Sequence, residues 1–156
     1  MNRDRIADEL AIRELVDRYA DAIVRRDEDD WRATWATDGE WHILGDSVRG
    51  HAAIVEKWNT LMGGLPFVHQ LASGGLIEFE GDKARGRFYV NEYATTPDGK
   101  GLLMLGVYFD RYVFDAGDWL FSKRRIHPLY MGPPDMSGVS NDFPSDWDKT
   151  KPGGSS

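Results

Sequence analysis

The stretch FVHQLASGGLIEFEGDKARGRFYVNE, Phe67 to Glu92, decides the fold. Gly81-Asp82 divides it into two runs of alternating apolar and polar residues. A Gly-Asp pair between such runs is the chemistry of a tight hairpin turn. Period-2 alternation places His69, Leu71, Ser73, Gly75, Ile77 and Phe79 on one face of the first strand. On the second, Ala84, Gly86, Phe88, Val90 and Glu92 share a face. Each face is apolar or small and carries one titratable group, His69 or Glu92. Lining one interior, they would put an imidazole and a carboxyl in an apolar cavity, the composition of a small proton-transfer site.

Downstream, two more strands are expected over 101–114 and 118–130. Pro97-Asp98-Gly99 and Asp115 to Asp118 supply their turns. Short turns between consecutive strands make them antiparallel. Upstream, Ile12, Leu15, Val16, Tyr19 and Ile23 recur at helical spacing, which predicts an amphipathic helix over 4–25. A short helix holding Trp31, Ala33, Thr34 and Trp35 follows, capped by Asp29 or Asp30 and ended by Asp38-Gly39. A short strand over 40–44 turns at Gly45-Asp46. A third helix, 51–62, buries Ile54, Val55, Trp58 and Leu61, and Gly63-Gly64 with Pro66 stops it.

Helices followed by a meander read as an α+β fold: N-terminal helices against one face of a curved sheet. The reading is one domain over 1–132 and a Gly/Pro/Ser-rich tail over 133–156. Phe143 and Trp147 stand out in that tail as anchors, and its last residues are expected to be disordered.

Composition removes several functions. A net charge of −7 over 156 residues argues against a nucleic-acid partner. The absence of cysteine removes disulfides and thiolate chemistry. No apolar run reaches the ~20 residues that span a bilayer. The N-terminal MNRDRIADEL lacks the pattern of a signal peptide. A soluble, cytoplasmic protein is the expectation. No HxH or HExxH spacing suggests a metal, and no Gly-rich loop suggests a nucleotide, so neither metal nor cofactor is expected.

The order of elements, with IRELVDRYADAI, Asp30-Trp31, KARGRFYV and GVYFDRYVFDAGDWLFSKRR, resembles the NTF2-like superfamily in its SnoaL-like, scytalone-dehydratase-like branch. It is similar in particular to the hexachlorocyclohexane dehydrochlorinase and bile acid 7α-dehydratase of that superfamily. The resemblance covers about residues 6–130. It implies a cone, a bent sheet wrapped round the first helix and enclosing a pocket, that pairs into homodimers or homotrimers through its outer sheet face. It also implies roles. His69 falls where relatives carry a catalytic histidine, and Val24 falls where they carry the aspartate that orients it. Asp21 and Asp27 flank that position. Glu92 matches a pocket aspartate, Tyr19 a pocket or oxyanion-hole tyrosine, Tyr108 a pocket-lining position, Asp110 an acid of ketosteroid isomerases, and Arg124 a functional arginine.

The residues themselves agree with some of these roles. Imidazole near neutral pH is a competent base. A desolvated Glu92 gains proton affinity. A Tyr19 phenol can donate to a developing oxyanion. On the strand over 101–114 both faces are apolar; the match at Tyr108 implies that Met104, Gly106, Tyr108, Asp110 and Tyr112 face inward, with Leu103, Leu105, Val107 and Phe109 left for a subunit interface. Structural ion pairs compete for Asp110 and Arg124.

Together these point to a cofactor-independent lyase or isomerase acting on a hydrophobic, aromatic or polycyclic small molecule. His69, Glu92, Tyr19 and Asp110 are the candidate catalytic groups. Leu71, Tyr108, Arg124, Trp31, Trp58, Phe88, Val90 and Met104 are the candidate binding surface. A non-catalytic protein, small-molecule-binding or a structural oligomeric module, and a ketosteroid-isomerase-like enzyme are the alternatives.

Overall fold

The computed structural model describes residues 4–147, 150 and 152. Helix α1, Arg5–Arg25, starts where the Asp4 carboxylate accepts from the backbone N–H groups of Ile6 and Ala7. It ends at Arg26, which takes a left-handed conformation. Its apolar stripe, Ile12, Leu15, Val16, Tyr19 and Ile23, is buried. Helix α2 spans Glu28–Ala33, and Asp27 rather than Asp29 or Asp30 caps it.

The residues after α2 depart from expectation. Trp35 opens strand β1, Trp35–Ile43, which runs through the Asp38-Gly39 pair expected to be a turn. Packing explains the misreading. A Cβ on Gly39 would come within 2.9 Å of the Trp35 ring, so this glycine serves a close approach inside a bulged strand. The following turn is Leu44-Gly45, both at positive φ, because Ile43 pairs with Asp46 at the start of β2, Asp46–Arg49. Helix α3 spans His51–Gly63.

Four long strands follow: β3 Phe67–Glu80, β4 Lys83–Thr95, β5 Gly101–Asp115 and β6 Asp118–Gly132. Each pairs antiparallel with the next. β1 adds to β6 in parallel, so the sheet is mixed, in the order β2-β1-β6-β5-β4-β3. It bends round α1 and the short helices, giving the α+β cone expected from sequence.

The β3–β4 hairpin turns at Gly81-Asp82 as expected, with Glu80 paired to Lys83. Inside β3 the simple alternation fails. Ser73 pairs with Tyr89 and Leu76 with Arg87, which leaves Gly74 and Gly75 opposite Phe88 alone. This bulge adds one residue and exchanges the two faces. Gly74 sits at a φ of 69°, and a Cβ on Gly75 would lie 2.1 Å from the Phe88 ring. Beyond the bulge Gly75, Ile77 and Phe79 face inward as expected. Before it the inward residues are Val68, Gln70 and Ala72, while His69 and Leu71 are exposed. The β4 face is as expected, with Ala84, Gly86, Phe88 and Val90 buried and Glu92 in line with them.

The core is aromatic. Trp31 stacks on Trp58 with centroids 5.0 Å apart and meets Trp41 edge-on at 5.2 Å. Such pairs contribute roughly 0.5–1.5 kcal/mol each beyond area burial. The segment after β6 returns along the sheet's outer face. A short strand β7, Val139–Ser140, pairs with Tyr130 and Met131. Phe143 packs against Tyr89 and Phe109, and Asp146 accepts from Arg125 at 2.9 Å. The tail thus covers part of the β5 outer face that the sequence reading gave to another subunit. The expectation of disorder concerns the last residues, most of which lie outside those described.

Candidate functional site

Where α1, α3 and β1 face the ends of β3 to β6, a cavity of about 170 Å³ opens. Trp41, Trp58, Met62, Met104, Ile126 and Met131 form its apolar walls, and Tyr19, Gln70, Glu92 and Tyr108 contribute its polar groups. Those four arrive from four elements. Tyr19 comes from the buried stripe of α1, and Glu92 from the inward face of β4. Tyr108 comes from the inward face of β5, whose parity is as expected. Gln70 comes from β3, in the place that unbroken alternation assigned to His69.

These groups form a short chain. Gln70 Nε2 donates to Glu92 Oε2 at 2.6 Å. The Tyr108 hydroxyl donates to Gln70 Oε1 at 3.4 Å, a long bond. Burial raises the proton affinity of Glu92 above that of an ordinary carboxyl, and the Gln70 donor acts in the opposite direction. Burial pushes the Tyr19 phenol up to about 12, against the pull of the Arg124 guanidinium. Burial also raises Tyr108, reinforced by neighbouring Tyr19. At neutral pH both phenols are therefore protonated donors, and Glu92 is the carboxyl lining the cavity.

Directly beneath, Asp110 and Arg124 form a fully buried pair. Arg124 Nε donates to Asp110 Oδ1 at 2.8 Å and Nη2 to Oδ2 at 3.1 Å, and Tyr112 donates to Oδ2 at 2.8 Å. The guanidinium stacks 3.5 Å from the Tyr108 ring centroid and 4.3 Å from that of Tyr19. Burial pushes the Asp110 carboxyl up, against Arg124 and Tyr112, which favour its charged form. Burial also opposes the Arg124 charge, but Asp110 and the surrounding phenols outweigh it and raise its pKa. Neither residue lines the cavity. They support Tyr19 and Tyr108 from behind and are not themselves placed to meet a ligand.

Several expected site residues lie elsewhere. His69 is on the outer face, because the Gly74-Gly75 bulge reverses β3, and Leu71 beside it is 60% exposed. The position matched to a dyad aspartate, Val24, is 39% exposed. Asp21 and Asp27 are both bound to Arg25, each at 2.9 Å, so neither orients an imidazole. Trp31, Phe88 and Val90 are buried in the core behind the walls. His42 pairs with Glu40 at 2.5 Å, and the rings of His51 and His127 meet the carbonyls of Trp35 and Asp142. None of the four histidines lines the cavity. Gln70 and Trp41 were missed from sequence. The two adjacent glycines in β3 were the available signal for Gln70, since a bulge there shifts the inward set by one residue.

A larger groove, about 470 Å³, runs along the opposite side of α1. Its arginines are already paired, Arg18 with Glu14 at 2.9 Å and Arg25 with Asp30 at 2.7 Å. Size alone does not make it the site. The smaller cavity has apolar walls and convergent polar groups that point into it. Among the described residues no three histidine or carboxylate side chains gather as a metal site.

The bent sheet round α1, with a pocket between the helices and the strand ends, defines a class, and the family comparison agrees. Residues 4–125 match the SnoaL-like domain, and the chain belongs to that family. Among solved structures it is similar to LinA, at 26% identity and a TM-score of 0.78 over 90% of this chain and 97% of that one. It is also similar to the hexachlorocyclohexane dehydrochlorinase LinA-type3 of Novosphingobium barchaimii, at 23% identity and a TM-score of 0.78, over 90% of this chain and 97% of that one. A scytalone dehydratase-like protein of Novosphingobium aromaticivorans has the same fold at 16% identity and a TM-score of 0.79, over 90% and 97% of the two chains. No curated protein matches the sequence. Among the described residues no helix is long and apolar enough to cross a membrane.

Proposed function

We propose that the protein is a cofactor-independent lyase or isomerase that moves a proton on a small, neutral, hydrophobic molecule, with Glu92 as the base. The observation that carries this reading is the single carboxyl in an apolar cavity beside two protonated phenols. A desolvated carboxylate is a stronger base than one in water and suits a C–H made acidic by a neighbouring carbonyl or leaving group. Tyr19 stands ready to donate to the oxygen on which charge develops, while the Tyr108 proton is already given to Gln70. In this reading Glu92 replaces the histidine of the resemblance.

Volume narrows the substrate. At about 170 Å³ the cavity is close to the ~150 Å³ engineered cavity that admits benzene. A one-ring body fits within that volume, and a larger molecule would extend through the open mouth. With no cation on the lining, an anionic ligand would face Glu92 uncompensated. The test is deuterium incorporation from D2O into the α-carbon of 2-tetralone and similar small ketones, followed by proton NMR. Exchange by the wild type and its loss in Glu92→Gln supports the reading. Absence of exchange across the panel, or undiminished exchange in Glu92→Gln, contradicts it.

A second reading is favoured by the aromatic walls themselves. Trp41, Trp58, Tyr19 and Tyr108 around a carboxylate also suit a hydrophobic amine, held by an ion pair and cation–π contacts without chemistry. Tight calorimetric binding of such an amine, without exchange activity, would establish it. As part of the main reading we also propose a homodimer or homotrimer. Phe67, Leu71, Leu76 and Tyr93 remain exposed on the outer faces of β3 and β4, and sedimentation velocity measures the mass.

A further inference from the structure

Gln70 is 3% exposed and buried beside a cavity whose walls are otherwise apolar and phenolic. A buried primary amide must satisfy both ends, because an unpartnered buried donor or acceptor costs about 1–3 kcal/mol. Here the chemistry of its neighbours fixes which way it points. An ionised Glu92 only accepts, so the end facing it at 2.6 Å must be Nε2. Oε1 is then left to face Tyr108, whose hydroxyl has the proton to give. The amide is held at one end by β5 and holds a carboxyl of β4 with the other. Only Oε2 of Glu92 is engaged in this way, and among the described residues Oε1 has no hydrogen-bond donor.

We propose that Gln70 is a positioning residue for Glu92: its amide, anchored by Tyr108, holds Oε2 of the carboxyl and turns Oε1 into the cavity. The inference rests on the reading of Glu92 as the base and adds to it the group that keeps the base ready. The surroundings leave this task to Gln70. Besides Glu92 and Gln70, the residues lining the cavity, from α1, β1, α3, β5 and β6, are apolar or aromatic, with Tyr19 and Tyr108 the titratable ones. None is a cation. Arg124 lies deeper and binds Asp110 through two of its nitrogens. A neutral amide hydrogen bond is thus the means by which this cavity offsets the desolvation of its carboxylate, without placing a charge where an apolar ligand must sit.

The test needs no substrate. Full-length protein labelled with 13C at the glutamate carboxyls is titrated by NMR, and the resonance missing in Glu92→Gln assigns Glu92. In Gln70→Met, of similar volume but without a donor, the Glu92 midpoint should move to higher pH. In Tyr108→Phe, which frees the amide without removing it, the shift should be smaller and in the same direction. Gln70→Asn, one methylene shorter, serves if the Met variant does not fold. A midpoint in Gln70→Met, or in its Asn substitute, equal to or below that of the wild type overturns the proposal. The two readings fail separately. If Glu92→Gln keeps full exchange activity, Glu92 is not the base, yet the titration still reports whether Gln70 tunes it. If Glu92→Gln is inactive and the Gln70 variants titrate like wild type, only the role of Gln70 is lost.

Discussion

Asp110 and Glu92 both lie on the inward face of the sheet, on adjacent strands, and both are carboxyls removed from water. Asp110 is 0% exposed and accepts three hydrogen bonds, two from Arg124 and one from Tyr112. Glu92 accepts one, from a neutral amide, and opens onto a cavity. The difference is in what each carboxyl is left to do. One is consumed by its partners and supports the fold. The other is held by a single neutral donor, gains proton affinity through burial, and remains available to a ligand. Burial of an acid therefore does not mark a site by itself; the number and charge of its partners decide.

Breaking the structural pair should give the largest effect. Arg124→Leu leaves Asp110 buried and uncompensated, and should cost about 3–5 kcal/mol in urea unfolding. Adding Asp110→Leu should recover much of that loss. By contrast, Glu92→Gln should fold normally and lower proton-exchange activity by roughly 10²–10⁴-fold, the usual contribution of a general base. Equal stability losses in Arg124→Leu and Glu92→Gln would erase the distinction between the two carboxyls.

The bulge that brings Gln70 rather than His69 to the cavity offers a smaller effect. Gly75→Ala drives a methyl into the Phe88 ring and should destabilise by about 1–3 kcal/mol, measured as the shift in urea midpoint. Glu92 also predicts a pH dependence. Its folded-state proton affinity is raised, so between its unfolded and folded pKa values the folded state binds more protons. Stability then falls as pH rises through that window and levels off above it. The slope should be absent in Glu92→Gln, and its persistence there would assign it to another group. Smallest of all, His69→Ala should change stability by no more than about 0.5 kcal/mol, as at other exposed positions.

The same contrast shows what the sequence could reveal. Strands β3 to β6, their turns and the stripe of α1 follow from local chemistry, period and turn residues, and the structure places them within a residue or two. The inward parity of β4 was legible for the same reason, because no bulge interrupts it over Phe88 to Glu92; both faces of β5 are apolar, and there the inward face followed from the resemblance at Tyr108. In β3 the glycine pair was visible, but the inserted residue depends on Phe88 across the ladder, a contact that local alternation does not contain. An aromatic after Thr34 suits helix or strand, and for Trp35 the pairing with Phe121 on β6 decides for the strand. Glu92 and Tyr19 reached the cavity from the pattern and Tyr108 from the resemblance, whereas Gln70 needed the register. Alternation and resemblance both drew attention to His69, but the register places that residue outside.

Deuterium exchange into 2-tetralone, compared in the wild type, Glu92→Gln and His69→Ala under one condition, tests the account most directly. The prediction is full exchange in the wild type and in His69→Ala, and loss of it in Glu92→Gln. Exchange that survives in Glu92→Gln and disappears in His69→Ala would contradict it.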